Sequence, residues 1–264
     1  MINSNMNQFK HLIIIGGQRC GTTFAINLLK KINKFKLTKT IRPEPKYFLK
    51  EKFIYKEYLD SFFRYTINNK NQIFIEKSTT YYERPFAIKN ICNNINDYQI
   101  LLFIRDPIKR AISNYFFSKN NGFEKLDINQ AFEREIYKSF PKNKNFGLST
   151  DPLDYISRGK YSELINDFIR YIPRNKFNIF PFERLTTNPK AFVNFLSILY
   201  NSPEINTDFN TIKKSDLYIK VNDSKFSSNQ ILKEEIICEL KKIYINEKTF
   251  LEDKFSVDLS LWQI

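Results

Sequence analysis

The stretch HLIIIGGQRCGTTFAINLLKK (residues 11–31) constrains the fold most. A short β-branched apolar run suits a strand buried in a parallel sheet. It ends in glycines, and the residues after them carry apolar side chains at helical spacing, at Phe24, Ile26, Leu28, Leu29 and Ile32. Strand, glycine loop and helix together form the context in which a loop cradles phosphate on backbone N–H groups at a helix amino end. The loop, GGQRCGTT, has the frame G-x-x-x-x-G-K-[ST] except that Thr22 stands where a nucleotidase has lysine. Gly16, Gly17 and Gly21 let the backbone turn inward, Thr22 and Thr23 add hydroxyls, and Arg19 adds a charged fork. A plain glycine turn with no ligand is the competing reading of the same residues.

Three further runs read as strands: QIFIEKS (72–78), YQILLFIRDP (98–107) and KFNIFPFERL (176–185). Helical patterns lie between them, in YERPFAIKNICNNI, IKRAISNYFFSKN, GKYSELINDFIRYI and NPKAFVNFLSILYN. Such alternation predicts an α/β fold, P-loop-like and three-layered, with a central parallel β-sheet flanked by helices. Ligands of such sheets sit at the carboxyl ends of the strands. Segments 119–150 and 202–230 are polar and irregular, and each reads as a surface excursion with a short helix inside. No linker or repeat divides the chain, so residues 1–264 are expected to form a single domain.

Lys and Arg number 42 against 28 Asp and Glu, a net charge of +14. The surplus permits a polyanionic ligand, but Lys, Asn, Ile and Phe are abundant along the whole chain, so the charge alone does not call for one. Cys20, Cys92 and Cys238 have neither metal nor disulfide spacing, and His11 is the only histidine, placed just before the first strand. No metal site is expected. The apolar run near the amino end is too short for a signal peptide or a membrane span. The expectation is a reduced, soluble, cytoplasmic protein.

HLIIIGGQRCGTTFAINLLKK resembles the 5′-phosphosulfate loop of sulfotransferases that use 3′-phosphoadenosine-5′-phosphosulfate (PAPS). LLFIRDPIKRAISNYFF is similar to their 3′-phosphate signature, and IFIEKSTTYYERP to the Glu-Lys-Ser/Thr segment of the heparan-type branch. The carboxyl-terminal half, from GKYSELINDF to FSVDLSLW, also resembles that branch, so the likeness runs over roughly residues 11–262. It implies PAPS as sulfuryl donor, a carbohydrate hydroxyl or amine as acceptor, in-line displacement, no metal and no nucleic-acid partner. By this resemblance Gln18, Arg19, Cys20, Gly21, Thr22 and Thr23 hold the donor in the loop, and Arg105, Ser113 and Lys225 hold its 3′-phosphate.

Arg19 stands where heparan-type members carry lysine, and is expected to steady charge on the bridging oxygen. Glu76, from the Glu-Lys-Ser match, is the expected base that takes the acceptor proton. The plainer readings are a strand-end acid paired with Lys77 and, for Arg105, a salt bridge to Asp106. IRPEPKYF (41–48) resembles the segment that borders the acceptor cleft, with Tyr47 and Phe48 expected in the core. VNDSKF (221–226) stands where the family has a loop closing over the nucleotide, through Ser224 or Lys225. Acceptor choice falls to segments 35–70 and 119–150, where Lys119, Lys125, Lys142 and Lys144 suit an anionic saccharide. Two other functions fit parts of the pattern: a kinase or nucleotidase with a degenerate loop, and a non-catalytic basic module that binds glycans or nucleic acid.

Overall fold

In the computed structural model, residues 9–40, 42–63, 71–137, 150–212 and 231–264 are described. Five parallel strands form one sheet in the order β2-β3-β1-β4-β5. They are β1 (Lys10–Gly16), β2 (Phe35–Leu37), β3 (Ile73–Lys77), β4 (Tyr98–Ile104) and β5 (Phe177–Pro181). Because all pairs are parallel, every strand delivers its carboxyl end to the same edge. That edge collects the glycine loop after β1, Ser78 and Thr79 after β3, and Arg105 after β4.

Both faces of the sheet are covered, which is why its strands read as near-continuous apolar runs. On one face Leu12, Ile14, Ile73 and Ile75 pack with Ala25, Ile26 and Leu29 of α1 (Thr22–Leu29) and with Phe192, Val193 and Leu196 of α8 (Pro189–Leu199). On the other, Ile13, Ile15 and Phe74 pack with Tyr58 and Leu59 of α2 (Tyr55–Phe62). Ile88 and Ile91 of α3 (Pro85–Asn94), Ile165 and Phe168 of α6 (Tyr161–Ile169) and Leu251 of α11 (Glu247–Phe255) complete that layer. A third cluster joins α4 (Pro107–Asn120), α5 (Ile128–Tyr137) and α10 (Glu234–Tyr244) through Ala111, Tyr115, Phe132, Ile236 and Leu240. The expected α/β fold with a flanked parallel sheet is the observed one.

Three local expectations need correction. The run 176–185 is not all strand: it ends at Pro181, whose φ of −69° and ψ of 135° are extended, and α7 (Phe182–Thr187) starts at the next residue. Proline has no N–H for the ladder, so a strand ends readily there. β2 is a strand that the apolar pattern did not reveal, because its three residues are too short to show a period. His11 is not before the first strand but within it, fully buried, its Nε2 at 2.8 Å from the Tyr55 hydroxyl. Burial lowers its pKa to about 3. Within segment 202–230, the described part holds a short helix, α9 (Glu204–Asn210), as expected. Tyr47 and Phe48 are core residues, as expected.

Candidate active site

The loop after β1 is closed by backbone bonds: Gly17 N–H donates to Phe103 O at 2.7 Å and Cys20 N–H to Gly17 O at 3.3 Å. Gly21 caps α1 with φ 79°, in the left-handed region, and supplies no side-chain cap. A helix amino end without a side-chain cap has N–H groups open to an anion. Thr22 and Thr23 begin that helix. A Cβ on Gly21 would stand 2.5 Å from Phe182 Cδ2, and one on Gly16 would stand 2.7 Å from Tyr82 Cβ. Packing therefore requires glycine at both positions.

Arg19, Arg105 and Ser113 come together over this loop. Arg19 Nε donates to Ser113 Oγ at 3.1 Å, and its guanidinium carbon lies 5.1 Å from the centre of the Phe117 ring. Arg105 Nη1 donates to the Arg19 carbonyl at 3.2 Å, and its guanidinium lies 4.5 Å from the Phe182 ring centre. Among the described residues, Arg105 Nε is buried without a hydrogen-bond partner. Burial, then the like charges of Arg105 and Arg42, lower the Arg19 pKa to about 10, so it remains a cation at neutral pH. Two guanidinium groups held together in this way favour an anion between them.

Asp106 does not pair with Arg105. It is the N-cap of α4, accepting from Ile108 N and Lys109 N at 3.0 Å each, and its other oxygen accepts from Gln263 N at 3.1 Å. Proline at the first position of α4 completes a regular helix start. The start is what orients Ser113, two turns on, toward Arg19.

Cys20 is fully buried, and burial pushes its thiol up to about 11. That fits a packing role and not a nucleophile. Its sulfur lies 3.8 Å from the hydroxyl of Tyr161, which donates to Arg105 O at 2.7 Å and accepts from Arg105 N at 3.1 Å. Tyr161 thus ties the loop to the β4 edge. Gln18 donates to Thr150 Oγ1. Lys225 and Ser224 lie outside the described residues.

Glu76 and Lys77 part at the end of β3, because successive strand residues face opposite sides. Glu76 follows Phe74 onto the α2–α3 face, has no exposed surface, and accepts from Ser78 Oγ at 2.9 Å and from the Tyr81 hydroxyl through the same oxygen, Oε1. Burial raises its pKa to about 7 against those donors and Tyr58, although neither Tyr58 Oη nor Glu76 Oε2 completes a hydrogen bond of regular geometry. Lys77 does not pair with Glu76; its Nζ meets Glu44 Oε1 at 2.9 Å. Glu44 also accepts from Thr79 N at 2.9 Å and Thr79 Oγ1 at 3.1 Å, and its side chain is 15% exposed. Glu44, partly exposed at the sheet edge, lies in the segment read as the border of the acceptor cleft.

Glu44, Phe117, Tyr161 and Phe182 are the site residues that the sequence did not single out. A partial signal existed for Glu44: the period of two along IFIEK turns Lys77 away from Glu76 and leaves it to another partner. None existed for the aromatics, among 26 Phe and 15 Tyr.

Among the described residues, no helix is long and apolar enough to cross a membrane, and no group of three His, Cys, Asp or Glu could hold a metal ion. Similarity to known proteins agrees with the geometry. A heparan sulfate glucosamine 3-O-sulfotransferase 3B1 from Mus musculus is 28% identical over 120 residues, 46% of this chain and 29% of the mouse protein. The mouse 3A1 enzyme is 27% identical over 120 residues, 46% of this chain and 28% of its own. The match thus spans less than a third of either relative. A solved sulfotransferase from Alicyclobacillus acidocaldarius shares the fold, with a TM-score of 0.70 over 96% of this chain and 98% of that one, at 17% identity. The sulfotransferase domain model matches residues 9–235, most of the chain, which therefore belongs to the sulfotransferase domain family.

Proposed function

We propose that this chain, as one catalytic domain, transfers a sulfuryl group from PAPS to a hydroxyl or amine of a carbohydrate. The observation that carries the reading is the pairing of Arg19 and Arg105 over an uncapped helix end, with a buried Arg105 donor unused. Those residues fit a donor with two separate anionic groups. When bound, PAPS supplies an activated sulfuryl group on its 5′-phosphate. The loop N–H groups, Thr22, Thr23 and Arg19 would hold that end, with Gln18 fixing the loop through Thr150. Arg105 and Ser113 would hold the 3′-phosphate, and Lys225 is proposed to join them. Fixed donors and cations of this kind steady charge as it shifts to the leaving group without reorganising.

Glu76, from the Glu-Lys-Ser match, is the proposed base, its carboxyl pKa raised by burial to about 7. Glu44 is a second carboxylate near it, partly exposed and oriented by Lys77 and Thr79. The saccharide acceptor rests on the mouse relatives, which by name act on glucosamine of heparan sulfate.

The test is transfer of labelled sulfate from PAPS across a panel of glycans, lipids and small alcohols. Transfer to a saccharide is expected, with Glu76→Gln reducing it about 100-fold or more while adenosine 3′,5′-bisphosphate still raises the melting temperature. Magnesium-dependent ATP turnover without PAPS binding would instead mark a kinase or nucleotidase. Absence of both transfer and bisphosphate binding refutes the proposal.

A further inference from the structure

Arg105 is the first residue after β4, and the backbone on both sides of it is fixed. Its N–H donates to the Tyr161 hydroxyl at 3.1 Å, and that hydroxyl donates to its carbonyl at 2.7 Å. The next N–H, of Asp106, donates to Glu183 Oε1 at 3.0 Å. The peptide between Arg105 and Asp106 is therefore held at its oxygen by Tyr161 and at its nitrogen by Glu183. Fixing that peptide fixes the direction in which the Arg105 side chain leaves the backbone.

Both holders meet one residue, Trp262. Its indole N–H donates to Glu183 Oε2 at 3.1 Å, and its ring centre lies 5.9 Å from that of Tyr161. Trp262 is buried, and the N–H of the next residue, Gln263, donates to Asp106 Oδ2 at 3.1 Å. Asp106, Glu183, Trp262 and Gln263 thus close a ring of three hydrogen bonds on the residue that follows Arg105. Glu183 also adjoins Phe182, the ring on which the Arg105 guanidinium lies at 4.5 Å. A buried tryptophan usually finds some acceptor for its N–H, and packing alone would be met by any of them. Here the acceptor is a carboxylate whose other oxygen holds the backbone of the anion site. Each of its oxygens serves one N–H, and a bond to a charged acceptor is stronger than one between neutral groups.

We infer that Trp262 is a positioning residue for the nucleotide, acting through Glu183 and Tyr161 to aim Arg105 at the 3′-phosphate. The inference rests on the proposed transferase reading, and it extends the anion site to a part of the chain that lies outside the phosphate loop and the Arg-Asp-Pro signature.

The test compares two nucleotides by calorimetric titration. Adenosine 3′,5′-bisphosphate carries the group that Arg105 is proposed to hold, and adenosine 5′-monophosphate lacks it. Trp262→Phe keeps a ring in the core and removes the N–H. It is expected to weaken the bisphosphate about 10-fold and to leave the monophosphate within about 2-fold of the wild type. Glu183→Gln leaves one of the two N–H groups without its carboxylate oxygen and should show the same selective loss, so it decides the matter if Trp262→Phe does not fold. Leu251→Ala opens a cavity in the core cluster that also contains Trp262, without removing a bond of the ring. It should lower the melting temperature and leave the ratio of the two affinities unchanged, as a purely structural role would. In turnover, the KM for PAPS should rise in Trp262→Phe by more than kcat falls, because a 3′-phosphate contact is made equally in the ground and transition states. Equal loss of both nucleotides in Trp262→Phe and Glu183→Gln, or no loss of either, would overturn the inference while the transferase reading stands. A wild type that binds neither nucleotide would refute that reading, and this inference with it.

Discussion

Replacing Gly21 by alanine tests the loop where sequence, packing and donor binding meet. Gly21 has φ 79°, which costs an L-residue about 1–2 kcal/mol. The new Cβ would also stand 2.5 Å from Phe182 Cδ2 and 2.9 Å from Cε2. Carbon atoms pack at roughly 3.5–4.0 Å, so the ring must retreat by about 1 Å. Overpacking of that kind costs about 1–3 kcal/mol, for a total of about 2–5 kcal/mol. At about 2–4 °C per kcal/mol for a chain near this size, melting should fall by roughly 10 °C.

The ring that moves is the one on which Arg105 rests at 4.5 Å. Loss of that contact, about 0.5–2 kcal/mol, should weaken adenosine 3′,5′-bisphosphate about 3- to 30-fold. Scanning fluorimetry with and without the bisphosphate, followed by calorimetric titration, measures both effects. A Gly21→Ala protein that melts within 2 °C of the wild type and binds the bisphosphate equally well would show that neither the left-handed turn nor the Phe182 contact has the importance assigned to it.

Ser113→Ala removes the partner of Arg19 Nε at 3.1 Å; bonds to charged groups are worth about 1.5–3 kcal/mol, so bisphosphate affinity should fall about 10- to 100-fold in calorimetry. Arg105→Lys keeps the charge but loses the planar group that both bonds the Arg19 carbonyl and lies on Phe182, and a comparable loss is expected with little change in melting temperature. Burial, and then the Asp154 charge, raise the Glu135 pKa to about 8, although it accepts from Tyr155 N and Ile156 N. A raised carboxyl pKa stabilises the fold fully below the ordinary carboxyl value, and that contribution is lost as pH rises through 8. Melting temperature should therefore decline from pH 5 to pH 9 in the wild type, and less steeply in Glu135→Gln.

The frame of the site was legible because its signals are local. Glycines between an apolar strand and a helical pattern mark a phosphate loop, and Asp106-Pro107 marks a helix start that needs no tertiary partner. The side chains that complete the site were not legible, because they arrive from distant segments. Glu44 reaches Thr79 across 35 residues, and Tyr161 reaches Arg105 across 56. Glu76 and Lys77 meet opposite faces at the end of β3, which strand alternation makes legible, but the partner of Lys77, Glu44, comes from a distant segment. His11 shows the same limit: a histidine at a strand start reads as polar, and only the aromatic side chains of Tyr55, Tyr58, Phe63 and Phe74 around it make it a core residue.

Arginine at position 19 is more than a lysine of different shape. Its φ of 65° brings the side chain away from the α1 axis and across to α4. There it meets Ser113 through Nε, the guanidinium nitrogen nearest the chain, and lies on the Phe117 ring, which is 37% exposed. A lysine has one nitrogen at the end of a flexible stem and would have to choose between an anion in the loop and a hydroxyl on α4. A guanidinium divides those tasks: Nε fixes its orientation on Ser113, and the contact leaves the terminal fork uncommitted. In this reading Ser113 belongs to two anion subsites at once, holding the 3′-phosphate with Arg105 and aiming Arg19 at the 5′ end. The loop without its lysine is then coupled to the second signature by a single hydrogen bond, and donor binding at one end should orient the cation at the other.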